Sequence, residues 1–181
     1  MTTQAEQIPG YLADTWSIDQ AHSDISFVVR HLGVSKVRGR FDSFEGRIVT
    51  AENPLDSSVS VTIHSASVNT NNTMRDEAVR TEDFLDVAKY PELTFVSTGI
   101  RADGDGYLID GDLTVRGVTR SVTLDFEANG FGEGFQGMKV AGFSATTEIS
   151  RKEFGVTGGQ AGAMLGDKIT IALEVEAVKP N

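Results

Sequence analysis

Cysteine is absent from the 181-residue sequence. That excludes a disulfide, a thiolate nucleophile and a zinc site built on thiolates, and it fits a reducing compartment. Positive charge is scarce as well, since 16 Lys and Arg against 26 Asp and Glu give a formal net charge of −10. The overall field therefore repels phosphate backbones and anionic lipid surfaces, and nucleic acid is not expected as a partner. No apolar run approaches the ~20 residues needed to cross a bilayer, so a membrane-spanning protein is not expected. The first residues, MTTQAEQIPGYLADTW, show no basic stretch, unbroken apolar core or small-residue cleavage site, and on that ground the protein is expected in the cytoplasm. Histidine is limited to His22, His31 and His64, with neither HExxH nor HxH spacing, so no metal site is expected. Catalytic motifs are missing too. His22 and Ser23 are adjacent and would point to opposite faces of a strand, and no GxSxG elbow exists. The glycine-rich run Gly155–Gly166 lacks the GK[ST] ending of a phosphate loop and is expected to form a mobile rim. No cofactor is implied, and no enzyme activity is expected.

What the sequence does have is alternation. Ile25, Phe27, Val29 and His31 share one face of a strand; Val37, Gly39 and Phe41 share another, opposite Lys36, Arg38 and Arg40. The same split into a dry and a wet side recurs at Val59–Ile63, Tyr107–Val115, Val122–Phe126 and Ile169–Val175. Turn signals at Glu52–Pro54, Ala102–Gly106 and Arg116–Thr119, and the series Gly130, Gly132, Gly134, Gly137, separate about eight half-buried antiparallel strands. With so little helix to cover them, the dry faces must bury one another. An all-β, eight-stranded antiparallel barrel over residues 14–181 is the expected fold, preceded by a loosely held arm at 1–13. A barrel of about eight strands is either filled by side chains or just wide enough for one ligand. The inward sets mix large residues with small ones, and close packing of ordinary interiors favours the filled alternative on this pattern alone.

One stretch departs from the β pattern. TMRDEAVRTEDFLDVAKYP, Thr73 to Pro91, has Thr73 and Asp76 spaced as a capping box and Asp76 four residues before Arg80, which predicts a helix. A second short helix is expected after Thr81, ending before Pro91, with Phe84, Leu85 and Val87 as an apolar underside. The segment around 73–89 is thus a helical lid or a plug at one end of the barrel.

Five collinear pieces carry a resemblance: WSIDQAHSDISFVVRHLGVSKVRGRFDSFEG, VNTNNTMRDEAVRTEDFLDVAKYPELTF, GDLTVRGVTRSVTL, FSATTEISRKEFGV and LGDKITIALEVEAV. Together they resemble the YceI-like family of lipocalin-like polyisoprenoid-binding proteins from Trp16 to about Val178. The resemblance implies a barrel whose elongated apolar cavity holds a polyisoprenoid lipid, such as an isoprenoid quinone or a prenyl phosphate, without enzymatic turnover. Its cavity residues would be Phe27, Val29, His31, Phe41, Phe95, Leu113, Phe126 and Phe143 from the strands, with Phe84 and Leu85 from the lid. The lipid head would meet His31, Asn69, Asn72, Arg75 or Asp76 at the mouth. Departures from the family pattern are Ala78 and Val79, where His and Leu are usual, and Ser121 in place of a common proline. A homodimer is compatible with the resemblance, although no diagnostic apolar patch is visible in the sequence. Two other readings stay open: a barrel enzyme for a small apolar substrate, with His31 as acid or base and Arg75 as anion clamp, and a packed-core interaction module using residues 74–89.

Overall fold

A computed structural model describes residues 4–179. Eleven strands form one antiparallel sheet: β1 (Asp14–Ile18), β2 (Asp24–His31), β3 (Ser35–Phe41), β4 (Phe44–Thr50), β5 (Ser58–His64), β6 (Val68–Asn69), β7 (Glu92–Asp103), β8 (Gly106–Val115), β9 (Val118–Glu133), β10 (Lys139–Ser150) and β11 (Leu165–Val178). Three pairs are halves of single long strands. β2 continues β1 after a 3₁₀ turn at Gln20–His22, β4 continues β3 after Asp42–Ser43, and β6 continues β5 after Ser65–Ser67. The result is eight long strands in sequential order. The last returns to the first: β11 pairs with β2 from Leu165↔His31 to Glu174↔Asp24 and with β1 at Ser17↔Val178 and Ile18↔Ala177. The barrel is closed, so no long sheet edge is left open for pairing with another chain.

Most connections are short. Two of the turns, Leu32–Gly33 and Arg116–Gly117, have positive φ at both central residues, the arrangement whose twist matches antiparallel strands. Leu32 and Arg116 therefore sit in the left-handed region, which costs a bulky residue roughly 1–2 kcal/mol.

Two connections are long. One, residues 151–164, joins β10 to β11. The longer runs from Thr70 to Pro91 and covers the barrel wall beyond His64↔Glu92, where pairing of β5 with β7 ends. Helix α1 (Thr73–Arg80) lies in it and differs from the sequence expectation in two ways. Its N-cap is Asn72, whose side chain accepts from the Arg75 N–H, while Asp76 turns inward instead of closing a capping box. No second helix follows. Residues 81–90 form successive turns, with Phe84 N–H bonded to Thr81 O, Lys89 N–H to Asp86 O, and Asp86 itself at φ +49°. A left-handed residue there prevents the helical hydrogen bonds from propagating.

The end of the barrel away from α1 is sealed. Trp16 is fully buried and donates its indole N–H to Thr50 Oγ1 at 2.9 Å. Phe131 packs edge-on against Tyr11, Trp16 and Phe143. Of the arm expected over 1–13, residues 1–3 lie outside the described residues. The rest lies against this end, with Ile8 buried, Tyr11 OH bonded to Ala51 O and Gln4 accepting from Tyr107 OH.

Candidate functional site

The interior is hollow. A cavity of about 430 Å³ runs inside the barrel between the sealed end and α1. The dry faces of the strand pattern line it: Phe27 and Val29 from β2, Phe41 from β3, Phe95 from β7, Leu113 from β8, Phe126 from β9 and Phe143 from β10. Phe84 and Leu85, from the turns after α1, complete this set.

Two glycines explain how so many aromatic residues leave space. Phe27 is paired with Gly39, and a Cβ at Gly39 would lie 2.3 Å from the tip of the Phe27 ring. Phe95 covers Gly111 in the same way, again at 2.3 Å. Each ring lies along the wall, over a residue without a side chain, rather than projecting into the lumen. The large and small residues of the inward sets thus nest within the wall, and the filled interior favoured by the strand pattern alone is corrected.

The α1 end carries the polar groups. His31 ends β2 and lines the cavity, as do Thr70 and Arg75. Arg75 donates from Nε to Thr70 Oγ1 at 2.8 Å and from Nη2 to Thr70 O at 2.7 Å. Buried Asp76 accepts from the Thr70 N–H at 2.7 Å and from the Thr70 hydroxyl. Thr70 is the joint that aims the guanidinium. Three expected headgroup residues stand outside the lining for this reason. Asp76 is committed to Thr70, Asn72 caps α1, and Asn69 donates to Asp42 Oδ2 at 2.9 Å. Ala78 and Val79, the departures from the family helix motif, both line the cavity and make this part of its wall apolar.

Arg151 was not legible as a site residue. It stands at the end of β10 in the run SRKEF, which reads as a solvated turn. It is 2% exposed, and its Nε, Nη1 and Nη2 donate to the carbonyls of Gly166, Val156, Thr157, Gly162 and Leu165 at 2.8–3.1 Å. The glycine-rich segment, expected as a mobile rim, is wound around this one guanidinium. A signal was present in the sequence: a cation directly before a run rich in glycine, whose unhindered carbonyls can converge on a planar fork of donors. Asp167 braces the same corner. It accepts from Ser150 Oγ at 2.6 Å and from the Lys152 N–H at 3.1 Å, and these bonds, the Ser150 one foremost, hold its carboxyl below the usual range.

The lid segment is tethered to that rim. Arg116 donates to Glu82 O and Gly155 O, at 2.6 and 2.7 Å, and the Gly158 N–H donates to Asp83 O at 2.7 Å. These bonds tie Glu82 and Asp83 to the barrel beside Phe84 and Leu85, which line the cavity. At the surface, His22 Nδ1 lies 2.7 Å from Asp19 and 3.3 Å from Glu176, and the bond to Asp19 pulls the imidazole pKa up. None of these three side chains lines the cavity. His64, on the wet face as expected, faces Glu45 at 3.2 Å.

A closed meander of eight long strands around a one-ended apolar cavity defines the lipocalin-like class of barrel. The chain belongs to the YceI-like domain family, whose pattern matches residues 16–177. Protein YceI of Escherichia coli is 43% identical over 148 residues, covering 80% of this chain and 78% of that protein. Among solved structures, BcnA of Burkholderia cenocepacia superposes with a TM-score of 0.80 at 26% identity, covering 88% of this chain and 98% of the other. A polyisoprenoid-binding domain from Saccharophagus degradans implicated in plant cell wall breakdown shares the fold, with a TM-score of 0.71 at 17% identity over 94% of this chain and all of that domain. Among the described residues no helix is long and apolar enough to cross a membrane.

Proposed function

We propose that the protein is a non-enzymatic carrier or store that holds one polyisoprenoid lipid, an isoprenoid quinone or a prenyl phosphate, in the barrel. The observation that carries this reading is the hollow itself, about 430 Å³ walled by Phe, Leu, Ile and Val along its length. Its size falls in the range of small-molecule sites, and apolar walls give little to a polar guest. Each five-carbon unit taken from water into such a space gains about 3–4 kcal/mol gross, before the ordering and translational costs of binding. The sealed Trp16 end directs the tail inward and leaves the head at His31 and Arg75. Among the described residues, Arg75 Nη1 has no hydrogen-bond partner, so a donor remains for an anionic or carbonyl oxygen. The nine apolar and aromatic candidates from the sequence form the tail site in this reading, with His31 where tail meets head; Asn72 and Asp76 act on the head only through the scaffold of α1, and Asn69 only through its bond to Asp42.

Titration with farnesyl diphosphate and with a quinone bearing the same tail tests the assignment. Both are expected to bind saturably at one site, and Arg75→Gln is expected to weaken the diphosphate about tenfold or more while leaving the quinone within about threefold, since a charge-assisted bond contributes about 1.5–3 kcal/mol. Absence of saturable binding by either ligand contradicts the reading.

A further inference from the structure

The mouth of the cavity is ringed by side chains that a water-facing rim does not need. Leu32 is 60% exposed, Val34 85%, Met74 82% and Met164 45%, four of the six large apolar residues left exposed on the described surface. They belong together. Leu32 and Val34 form the hairpin tip after cavity-lining His31, the Leu32 N–H bonds Met164 O at 2.8 Å, Met164 itself lines the cavity, and Met74 precedes Arg75 on α1. Leu32 is moreover held at φ +56°, where Asn or Gly would be relaxed. A strained, wet leucine at a binding-site rim is the kind of outlier that a function can account for.

Charge supplies the second half of the argument. From Ile25 to Phe41 the chain contains Arg30, Lys36, Arg38 and Arg40 and no carboxylate, on a molecule of net charge −10. Register pairs Arg30 with Lys36 and places Arg38 opposite Val28 and Arg40 opposite Ser26, so the four cations stand on the outer face of the β2–β3 hairpin, leading to its tip. Arg40 is paired with Asp42. Arg30, Lys36 and Arg38 are exposed and make no ion pair among the described residues. The negative remainder of the molecule would be repelled by an anionic surface while this corner is attracted, so the approach is oriented mouth first.

The geometry points to the β2–β3 hairpin tip, with Met74 and Met164, as a docking surface for an anionic lipid bilayer, against which the cavity opens directly into the membrane. Apolar side chains at a tip flanked by cations match the interface between lipid headgroups and acyl chains. The overall repulsion expected from composition is thereby overridden locally. The inference takes its purpose from the lipid-binding reading, but its test does not require a cargo.

The test is cosedimentation of the full-length protein with vesicles of phosphatidylcholine alone, or of phosphatidylcholine and phosphatidylglycerol in equal parts, neither containing an isoprenoid. Binding is expected to be at least about tenfold stronger to the anionic vesicles and to fall with salt. Lys36→Gln with Arg38→Gln is expected to lower partitioning about twenty-five-fold, at roughly fivefold for each cation removed. Leu32→Asn is expected to lower it several-fold while keeping or raising the melting temperature, because it relieves the left-handed strain and separates docking from folding. Partitioning that ignores lipid charge or these substitutions overturns the inference, as does failure to bind vesicles by a preparation that takes up prenyl lipid, which would leave the cavity assignment intact. A dimer that Val34→Asp dissociates, without vesicle binding by the monomer, would make a second copy the occupant of this surface and equally overturn it.

Discussion

Replacing Arg151 with alanine is expected to lower the stability of the protein by about 3 kcal/mol or more, and its melting temperature by about 6–12 °C. The reason is the number of acceptors that one side chain serves. Five backbone carbonyls of the rim converge on this guanidinium, and none of the ion pairs in the described structure involves it. Removing it leaves carbonyls turned inward with no donor, each such group costing about 1–3 kcal/mol until the loop rearranges to reach water. Lysine keeps the charge but offers three donors from a single point, so Arg151→Lys is expected to fall between wild type and Arg151→Ala. Because Arg151 and Ala161, Met164 and Leu165 of the rim all line the cavity, the same substitution is expected to speed ligand release. Thermal unfolding together with hydrogen exchange at residues 155–166 checks this: a melting temperature within about 2 °C of wild type and unchanged rim protection contradict the role given to Arg151.

The second large effect has the opposite sign on stability. Ala145 lines the cavity from β10, between Phe126 and Leu173 in register, and is buried. Ala145→Trp places an indole where the tail is proposed to run. In a packed core such overfilling costs about 1–3 kcal/mol; in a hollow it adds buried apolar surface and is expected to leave the melting temperature unchanged or raise it. Ligand affinity is expected to drop about a hundredfold or more, because excluding one five-carbon unit forfeits about 3–4 kcal/mol gross. Calorimetry and ligand titration on the same preparation read both effects. A destabilised variant with wild-type affinity contradicts the assignment of this space to a ligand.

The contrast between these two residues shows how far a linear reading reaches. Period-two alternation located the dry faces, and most of the residues it put on them, from Ile25 to Val175, line the cavity, while Tyr107 stands at the sealed end. That works because side-chain direction along a strand is a local property. Whether the enclosed space is filled is not local. It depends on Phe27 lying over Gly39 and Phe95 over Gly111, contacts between strands whose register no single strand announces. The family resemblance, rather than the residue pattern, supplied the expectation of a cavity. Arg151 was hidden for a related reason, since its five acceptors come from a loop that folds back over up to 15 residues of chain. At α1 the misreading was smaller. Asn72 and Thr73 are both competent caps, and the choice between them was made by Thr70, which draws Asp76 away from the helix terminus. The apolar mouth was split in the sequence among a strand tip, a helix start and a loop, so no window revealed it.

The claim on which the account turns is that the lumen receives a prenyl chain. Native mass spectrometry of the protein purified without added lipid, with organic extraction of the same material, tests it most directly. The account predicts one bound species per chain, released by extraction and composed of repeating five-carbon units, and its loss from Ala145→Trp. Protein that emerges ligand-free and then refuses both quinones and prenyl phosphates contradicts it.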